Sequence, residues 1–527
     1  MTRILAIDQS TSATKALLYD ARDGSLIDKA SVEHRQIYPR EGWVEHDAEE
    51  IWANTLAAVR SLAGGHSDAL DDVACLSITN QRETIVVFER ATGRPLHNAI
   101  VWQCRRGDPI CAELAQAGHG DLVARKTGLK IDAYFSAPKL TWLMRNRPDL
   151  ARQLAEGEAL VGTIDAYLIY RFTSGRTFAT DQTNACRTLL FDIERLRWDE
   201  DLCKLFGVPM RALPEVRDGT ATFGETTIDG LLRRPIPICG VMGDSQAALF
   251  AHGCFRPGTA KVTIGTGSSV LLNVGPRWRR DEGRRTKDER RAADGRDSSL
   301  ILPTSSFDSG AVATVAWVHG GRPTYCLEGI VNYAAATIAW LKDQLGLIRS
   351  ADEAEAIAGT VSDNGGCYLV PAFAGLSAPH WAPDARAAIV GMSGHTTRGH
   401  IVRAALESIA YQVRDVLDMM RDAAPVDLRT IHADGGATCN ALLMQFVADA
   451  IGLELTVARM PDCSALGAAL AGGLGTGTIP SLDDVVRMPR VVQTYRPRMP
   501  RERADALHAG WRRAVRQVLA GVETDEA

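Results

Sequence analysis

Two stretches decide how the chain is read. Ile4-Leu5-Ala6-Ile7-Asp8, then Gln9-Ser10-Thr11-Ser12-Ala13-Thr14, then Lys15-Ala16-Leu17-Leu18-Tyr19-Asp20 make an apolar run, a small polar turn and a second apolar run. Far downstream, Lys261-Val262-Thr263-Ile264, Gly265-Thr266-Gly267-Ser268-Ser269 and Val270-Leu271-Leu272-Asn273-Val274 follow the same scheme. Short runs rich in Ile, Leu and Val, broken by turn residues, are strand–turn–strand units. The two share little residue identity, so the echo is structural. It predicts two related lobes meeting at a cleft, divided near residue 250. A turn of Gly, Ser and Thr gathers N–H and O–H donors with little bulk, which is what a phosphate needs. One such turn alone is ordinarily a solvent-exposed hairpin. Two of them, with Asp8 ending a strand, point to a nucleotide gripped at its β- and γ-phosphates. Asp8 would then hold Mg²⁺ through water. No GxxxxGK[ST] segment is present, which argues against a P-loop ATPase.

Working outward, Asp23-Gly24 marks a turn before a strand at 26–30, so the protein opens as an antiparallel meander. Asp47 is placed to cap a helix carrying Ile51, Trp52, Leu56, Val59 and Leu62, with Gly64-Gly65 ending the pattern. Near the other end, a strand at 428–433 leads through Asp434-Gly435-Gly436 to an amphipathic helix at 440–451. Glycines between a strand and a helix let another molecule approach the backbone, although many αβ proteins use them for packing alone. From Pro276 to residue 299 the chain is densely charged with mixed sign. This reads as a solvated surface insertion, with a docking surface as the other reading. Residues 516–527 are expected to form a C-terminal tail.

Composition narrows the function classes. In 527 residues, 59 Lys and Arg against 64 Asp and Glu leave a formal charge of −5, which argues against nucleic acid as the main partner. Eleven cysteines stand singly with no CxxC pair, as in a reduced, cytoplasmic protein. No apolar segment approaches the roughly 20 residues of a membrane span, and no export signal follows Met1. Assembly into homo-oligomers is left open by the sequence.

Three further segments carry chemistry-bearing residues. Asn80-Gln81-Arg82-Glu83-Thr84 follows an apolar strand and offers a dense set of donors and acceptors for hydroxyl groups, or else a surface salt-bridge cluster. Trp102, in Ile100-Val101-Trp102-Gln103-Cys104-Arg105-Arg106, either floors a pocket for C–H groups or plugs a core. Asp244, after the apolar strand that ends at Gly243, is either a helix N-cap or a general base between the lobes.

Together these motifs resemble the FGGY carbohydrate kinases, and within that family the glycerol kinase branch. Two signatures are present in full: the run from Tyr134 through Lys139 and Trp142 to Asn146, and the segment from Ala387 through Gly391 and His400 to Glu407. Gly42-Trp43-Val44-Glu45-His46-Asp47 adds to the likeness, which spans roughly residues 3–500 apart from the charged insertion. The resemblance implies an α/β fold of two actin-like, ribonuclease-H-like lobes: 1–250 binding a polyol and 251–515 binding the nucleotide. It implies ATP-dependent phosphorylation of a primary hydroxyl of glycerol to sn-glycerol 3-phosphate, with ATP and Mg²⁺. Asp244 would be the general base. Arg82, Glu83 and Tyr134 would hold the polyol hydroxyls, Trp102 would pack on its carbons, and Ser245 would line the pocket. Thr11, Ser12, Lys15 and Thr266 would contact ATP phosphates, Gly436 and Asn440 the nucleoside, and Asp8 the metal. A non-enzymatic actin-like role is the remaining class, but the chain carries no DNA-binding helix-turn-helix extension and keeps the full acceptor set.

The sequence departs from the family pattern mainly at the acceptor pocket. Ser245 stands where Gln is usual after the catalytic acid, and Ser269 where Phe follows the second turn. Both remove volume, and the loss of an aromatic wall weakens apolar contact by about 1 kcal/mol or more. A kinase of a larger polyol or ketose, a tetritol or pentulose, is therefore the alternative. On the nucleotide side, Lys15 replaces Arg, keeping charge but losing the bidentate fork. Ala13 replaces Ser, and Ala335 and Ala339 stand for Gly and Gln. The loop at Asp229-Gly230-Leu231-Leu232-Arg233 lacks the Gly-rich pattern that the family associates with sugar-bisphosphate inhibition, so that regulation is not expected.

Overall fold

A computed structural model describes residues 2–65, 70–280, 300–302, 310–424, 426–459 and 462–523. The opening meander forms three antiparallel strands, β1 (Arg3–Gln9), β2 (Ala13–Asp20) and β3 (Leu26–Glu33). On the other side of β1, parallel to it, lies β4 (Val73–Asn80). β5 (Thr222–Thr226) and β6 (Ile236–Gly243) complete a six-stranded sheet of order β5-β6-β4-β1-β2-β3, with β6 parallel to β4. β1 reads as a continuous apolar run because helices cover both faces of the sheet: Leu5 and Ile7 join one core, Ile4 and Ala6 another. Helix α1 (Ala48–Gly65) packs on β2 and β3, and Asp47 caps it by accepting from the Glu49 amide at 2.9 Å.

The second half repeats this plan. β7 (Thr259–Ile264) and β8 (Ser268–Gly275) are the second hairpin. With β9 (Val312–His319), β10 (Arg322–Val331), β11 (Thr430–Asp434), β12 (Leu455–Ala458) and β13 (Val492–Tyr495), they form a sheet of order β9-β10-β8-β7-β11-β12-β13. The run β10-β8-β7-β11-β12 matches β3-β2-β1-β4-β6 in order and strand sense. The two hairpins foretell such a pair of related lobes, and the actin-like, ribonuclease-H-like form is the one that the family resemblance implies.

The sheets are joined by two helices that follow equivalent strands. Helix α2 (Asp244–Ala251) leaves β6 and packs on β7, β8 and β9 of the second sheet. Helix α5 (Cys463–Gly475), downstream of β12, packs on β1, β4 and β6 of the first. The two cross so closely that a Cβ on Gly467 would sit 1.8 Å from the Ala247 carbonyl oxygen, so only glycine fits there. α3 (Arg398–Ala423) and α4 (Ala441–Ile451) lie in the core of the second sheet. A small sheet of Glu45–His46, Ala99–Ile100, Ile85–Glu89 and Ala159–Thr163 is built onto the first lobe and carries Trp102 at its edge.

Of the charged insertion, Trp278–Arg280 pairs in parallel with Leu300–Leu302, and residues 281–299 lie outside the described residues. The expectation of a tail from 516 is corrected. Helix α6 (Arg501–Glu523) continues through it, because Val515, Val518 and Leu519 recur at helical spacing and pack on the second core. Residues 524–527, the acidic end, lie outside the described residues. None of the eleven cysteines is in a disulfide, and Cys439 is exposed. Among the described residues no helix is long and apolar enough to cross a membrane.

Candidate active site

β4 delivers its end residues to the boundary between the sheets. Asn80 exchanges side-chain amide hydrogen bonds with Asn184, at 3.0 and 3.1 Å, and Gln81 donates its backbone N–H to Gln9 at 2.8 Å. The strand end is thereby tied to β1. Arg82 and Glu83 follow, and both are buried, so the surface-cluster reading of this pair does not hold. Glu83 adopts φ of +60°, a left-handed conformation costly to a residue with a side chain. Its carbonyl accepts from Ser136 Oγ at 3.1 Å, and its carboxylate accepts from Arg187 Nε at 2.6 Å. Burial raises the proton affinity of Glu83, opposed by Arg187 and Arg82.

Asp244 is not a helix cap. Gly243 occupies the cap position of α2, and Asp244 is the first helical residue, accepting only from the neighbouring Ser245 amide at 2.6 Å. Its side chain is 40% exposed, against 5% for Arg82 beside it. Arg82 Nε lies 3.1 Å from Asp244 Oδ1 in a geometry too bent for a hydrogen bond, so this N–H is unused. The other end of the guanidinium donates to Glu328, Nη2 to Oε1 at 2.7 Å and Nη1 to Oε2 at 3.2 Å, and Nη1 also reaches Gln246 Oε1 at 3.2 Å. Arg187 Nη1 is 2.7 Å from Glu328 Oε2. Burial would raise the Glu328 carboxyl, but Arg187 and Arg82 overcome it and hold it down to about 2.

Beside this cluster stand the aromatic residues. Trp102 and Tyr134 meet edge to face with ring centroids 5.4 Å apart, and both are half-buried. Lys139, buried in the helix Ser136–Asn146, donates to the Tyr134 and Phe135 carbonyls and anchors that turn. The indole N–H of Trp102 donates to Thr11 Oγ1 at 3.0 Å. This contact joins the Trp102–Tyr134 pair to the first hydroxyl turn, and it uses an acceptor site of Thr11 while leaving its O–H to donate. The Thr11 carbonyl accepts from Gln36 at 2.6 Å, which braces the turn.

Asp8 is the penultimate residue of β1, next to this turn. Burial raises its carboxyl to about 6, partly offset by Lys15, while the Asp244 and Asp462 carboxylates push it further up. An acid held at that affinity gains from a nearby cation, so the site fits a divalent metal. Lys15 does not point freely at the cleft. It bridges Asp462 at 2.6 Å and Asp8 at 3.7 Å, and Lys29 reaches Asp462 at 3.1 Å.

The second turn reaches the same place from the other sheet. Thr266 is exposed, and Ser269 Oγ donates to Glu328 at 3.3 Å, which links the turn through Arg82 to Asp244. Gly435, with φ of +98°, lies against Ile264; a Cβ there would stand 2.5 Å from the Ile264 carbonyl oxygen. The adjacent Gly436 is exposed, and a Cβ on it would meet nothing within 4 Å. Asn440 is occupied as the N-cap of α4, accepting from Leu443 N at 2.8 Å. The structure thus gathers Asp8, Thr11, Lys15, Arg82, Glu83, Trp102, Tyr134, Asp244 and Ser245 around one boundary. Thr266 and Gly436 are exposed just past the ends of the adjacent strands β7 and β11, and Ser12 is exposed in the first turn.

Sequence reasoning passed over Glu328, Arg187 and Asp462. Glu328 stands alone in Tyr325-Cys326-Leu327-Glu328-Gly329-Ile330-Val331, and Arg187 stands between Ala185-Cys186 and Leu189-Leu190-Phe191. A lone ionisable residue in an apolar run demands a buried partner, and that was the signal.

The chain matches the model of the FGGY family of carbohydrate kinases, N-terminal domain, over residues 3–251 and the C-terminal domain of that family over residues 260–476. It is 42% identical over 518 residues to glycerol kinase of Desulfitobacterium hafniense, covering 98% of this chain and 99% of the relative. Glycerol kinase of Symbiobacterium thermophilum is 44% identical over 512 residues, 97% of each. Among solved structures, Plasmodium falciparum glycerol kinase with ADP superposes with a TM-score of 0.88 at 34% identity over 98% of both chains. A xylulose kinase from Rhodospirillum rubrum, at 22% identity and a TM-score of 0.81 over 98% of this chain and 99% of that one, shares the fold.

Proposed function

Because the chain belongs to the FGGY family of carbohydrate kinases, we propose that it transfers the γ-phosphoryl group of ATP to a primary hydroxyl of glycerol, giving sn-glycerol 3-phosphate and ADP. The observation that carries this is Asp244: a helix-start carboxylate relieved of capping, open to the cleft, and set beside an Arg with an unused N–H. Such a group can accept a proton from an alcohol. Phosphoryl transfer asks for in-line positioning and charge neutralisation more than for a strong base, and the proton leaves late.

In this reading residues 1–250 form the polyol side and 251–515 the nucleotide side. Arg82, Glu83 and Tyr134 bind the polyol hydroxyls, Trp102 packs on its carbons, and Ser245 lines the space next to the base. Thr11, Ser12 and Thr266 donate to the phosphates, and Lys15 supplies charge at one remove because Asp462 holds it. The open surface of Gly436 receives the nucleoside, with Asn440 shaping the loop as its helix cap. Mg²⁺, when bound near Asp8, neutralises phosphate charge; its place is supported by the raised proton affinity of that buried acid. Scattered cysteines outside any disulfide suit a reducing, cytoplasmic setting.

The larger-acceptor alternative rested on Ser245 and Ser269. The Ser269 hydroxyl is engaged by Glu328. Relatives named glycerol kinase, 42–44% identical along nearly the whole chain, also weigh toward glycerol. The test is an ADP-coupled assay with ATP and Mg²⁺ across glycerol, tetritols and pentuloses. Glycerol should give the highest kcat/KM, and a four- or five-carbon acceptor well above it would reverse the assignment. Asp244→Asn should lower kcat by about 10²–10⁴ without changing KM for ATP.

A further inference from the structure

Resting on the kinase reading above, we propose that Glu328 is a positioning residue for the acceptor site: from the second sheet it holds Arg82 across the lobe boundary, so that Arg82 Nε stays 3.1 Å from Asp244 Oδ1 with its N–H left to donate to the polyol. Glu328 lies on β10 among apolar neighbours and is 0% exposed. A buried carboxylate is costly, and a position with only a packing role is served as well or better by an apolar residue of similar size. Here both carboxylate oxygens are taken by functional-site arginines. Oε1 and Oε2 receive the two terminal nitrogens of Arg82, and Oε2 also faces Arg187. A guanidinium is planar, so fixing its two terminal nitrogens fixes where its third points. Gln246 adds a third restraint on the same group.

Charge leads to the same conclusion. Arg82 and Arg187 are buried together and are balanced by Glu83 and Glu328. Without Glu328, two guanidinium groups would compete for Glu83 and Asp244, the two carboxylates the acceptor needs. Glu328 therefore keeps Asp244 beside Arg82 without being fully consumed by it. Ser269 Oγ, just beyond the second turn, donates to Glu328 Oε1, so the same carboxylate also touches the phosphate-binding side. Arg82 follows a strand of the first sheet and Glu328 belongs to the second, so the acceptor site is complete only with the lobes in this arrangement.

The experiment compares wild type, Glu328→Gln and Glu328→Asp, each as the full chain, in steady-state kinetics with ATP, Mg²⁺ and glycerol, alongside thermal melts. Glu328→Gln should lower kcat/KM for glycerol at least 100-fold and leave KM for ATP within twofold. Glu328→Asp restores the charge on a shorter arm and should recover about tenfold of that loss while KM for glycerol stays raised. A lower melting temperature with wild-type constants per folded enzyme would make Glu328 a structural residue only and overturn the proposal. Equal losses for glycerol and ATP would overturn it too. If Glu328→Gln does not fold, Glu328→Asp decides alone: a raised KM for glycerol with an unchanged KM for ATP supports positioning, and wild-type constants refute it. A wild type that ignores glycerol would defeat the functional assignment instead, and the best acceptor of the panel then replaces glycerol in the same comparison.

Discussion

Gly243→Ala is the sharpest test of how Arg82 is held. Gly243 has an ordinary φ of −62°, so its backbone suits any residue, and what excludes a side chain is space. An ideal Cβ there would stand 2.7 Å from both Cγ and Cδ of Arg82. Carbon atoms pack at about 3.5–4.0 Å, so the Arg82 stem has to withdraw by roughly 1 Å. It has no slack. Its terminal nitrogens are fixed on Glu328, and Gly243 itself is tied through its N–H to Thr183 Oγ1 at 2.8 Å.

A misplacement of about 1 Å at a positioning group costs up to ~10²-fold in rate, equivalent to ~2.7 kcal/mol of barrier. The expected outcome is a fall of 30- to 100-fold (~10²) in kcat/KM for glycerol, with KM for ATP unchanged, because the atoms nearest the added methyl belong to Arg82 and Gln246. The assay is the ADP-coupled rate over a grid of glycerol and ATP concentrations, with circular dichroism to establish that the variant is folded. A folded Gly243→Ala protein within threefold of wild type would refute the reasoning, since it would mean that the precise seat of Arg82 is irrelevant to acceptor binding.

Two further outcomes follow from the same geometry. Gly436→Ala meets no protein atom, so stability should be unchanged; KM for ATP should rise severalfold with kcat for saturating ATP near wild type, and an unchanged KM would remove Gly436 from the nucleotide site. Asp8→Asn should stabilise the ligand-free protein at pH 8 while abolishing Mg²⁺-dependent turnover. The Asp8 carboxyl is raised from 3.8 to about 6, so the folded state binds the extra proton between those values and stability falls as pH rises through them. The ionised form at pH 8 costs ~3 kcal/mol, which the amide avoids. Denaturation curves at pH 8 and pH 4 should show the gain at the higher pH alone, and equal curves at pH 8 would refute it.

The parts of the site that were legible in the sequence are those whose members are neighbours along the chain. Each hydroxyl turn sits between its own two strands, so hairpin chemistry exposes it, and the echo between the two hairpins pointed to two related lobes. Arg82-Glu83 was visible as a pair, but whether it lay on the surface or in the cleft depended on Glu328 and Arg187, 246 and 104 residues away from their partners Arg82 and Glu83. No local pattern gives such pairings. Asp244 was ambiguous for a related reason: cap and base have the same local signature, and only the placement of Gly243 at the cap position separates them. The tail was misjudged because Val515, Val518 and Leu519, set among Arg512, Arg513, Arg516 and Gln517, form an apolar stripe that needs the second core to justify it.

The repeat also explains why one acid in particular is available for chemistry. Strands β6 and β12 hold equivalent places in the two sheets, and each is followed by a helix that packs on the opposite sheet. An acid stands at the start of both: Asp244 in α2 and Asp462 before α5. Their surroundings differ in one respect. Asp462 receives two lysines directly, at 2.6 and 3.1 Å, and its side chain is 8% exposed, so its charge is neutralised and serves to join β2 and β3 to the second half. Asp244 faces a single arginine whose hydrogen bonds go to Glu328 and Gln246, and it stays 40% exposed. If the pairing rather than the helix start sets the role, moving a lysine next to Asp244, as in Ser245→Lys, should abolish turnover while the fold survives. A Ser245→Lys enzyme with wild-type kcat would show that neutralising this carboxylate does not matter, and the base assignment would fall with it.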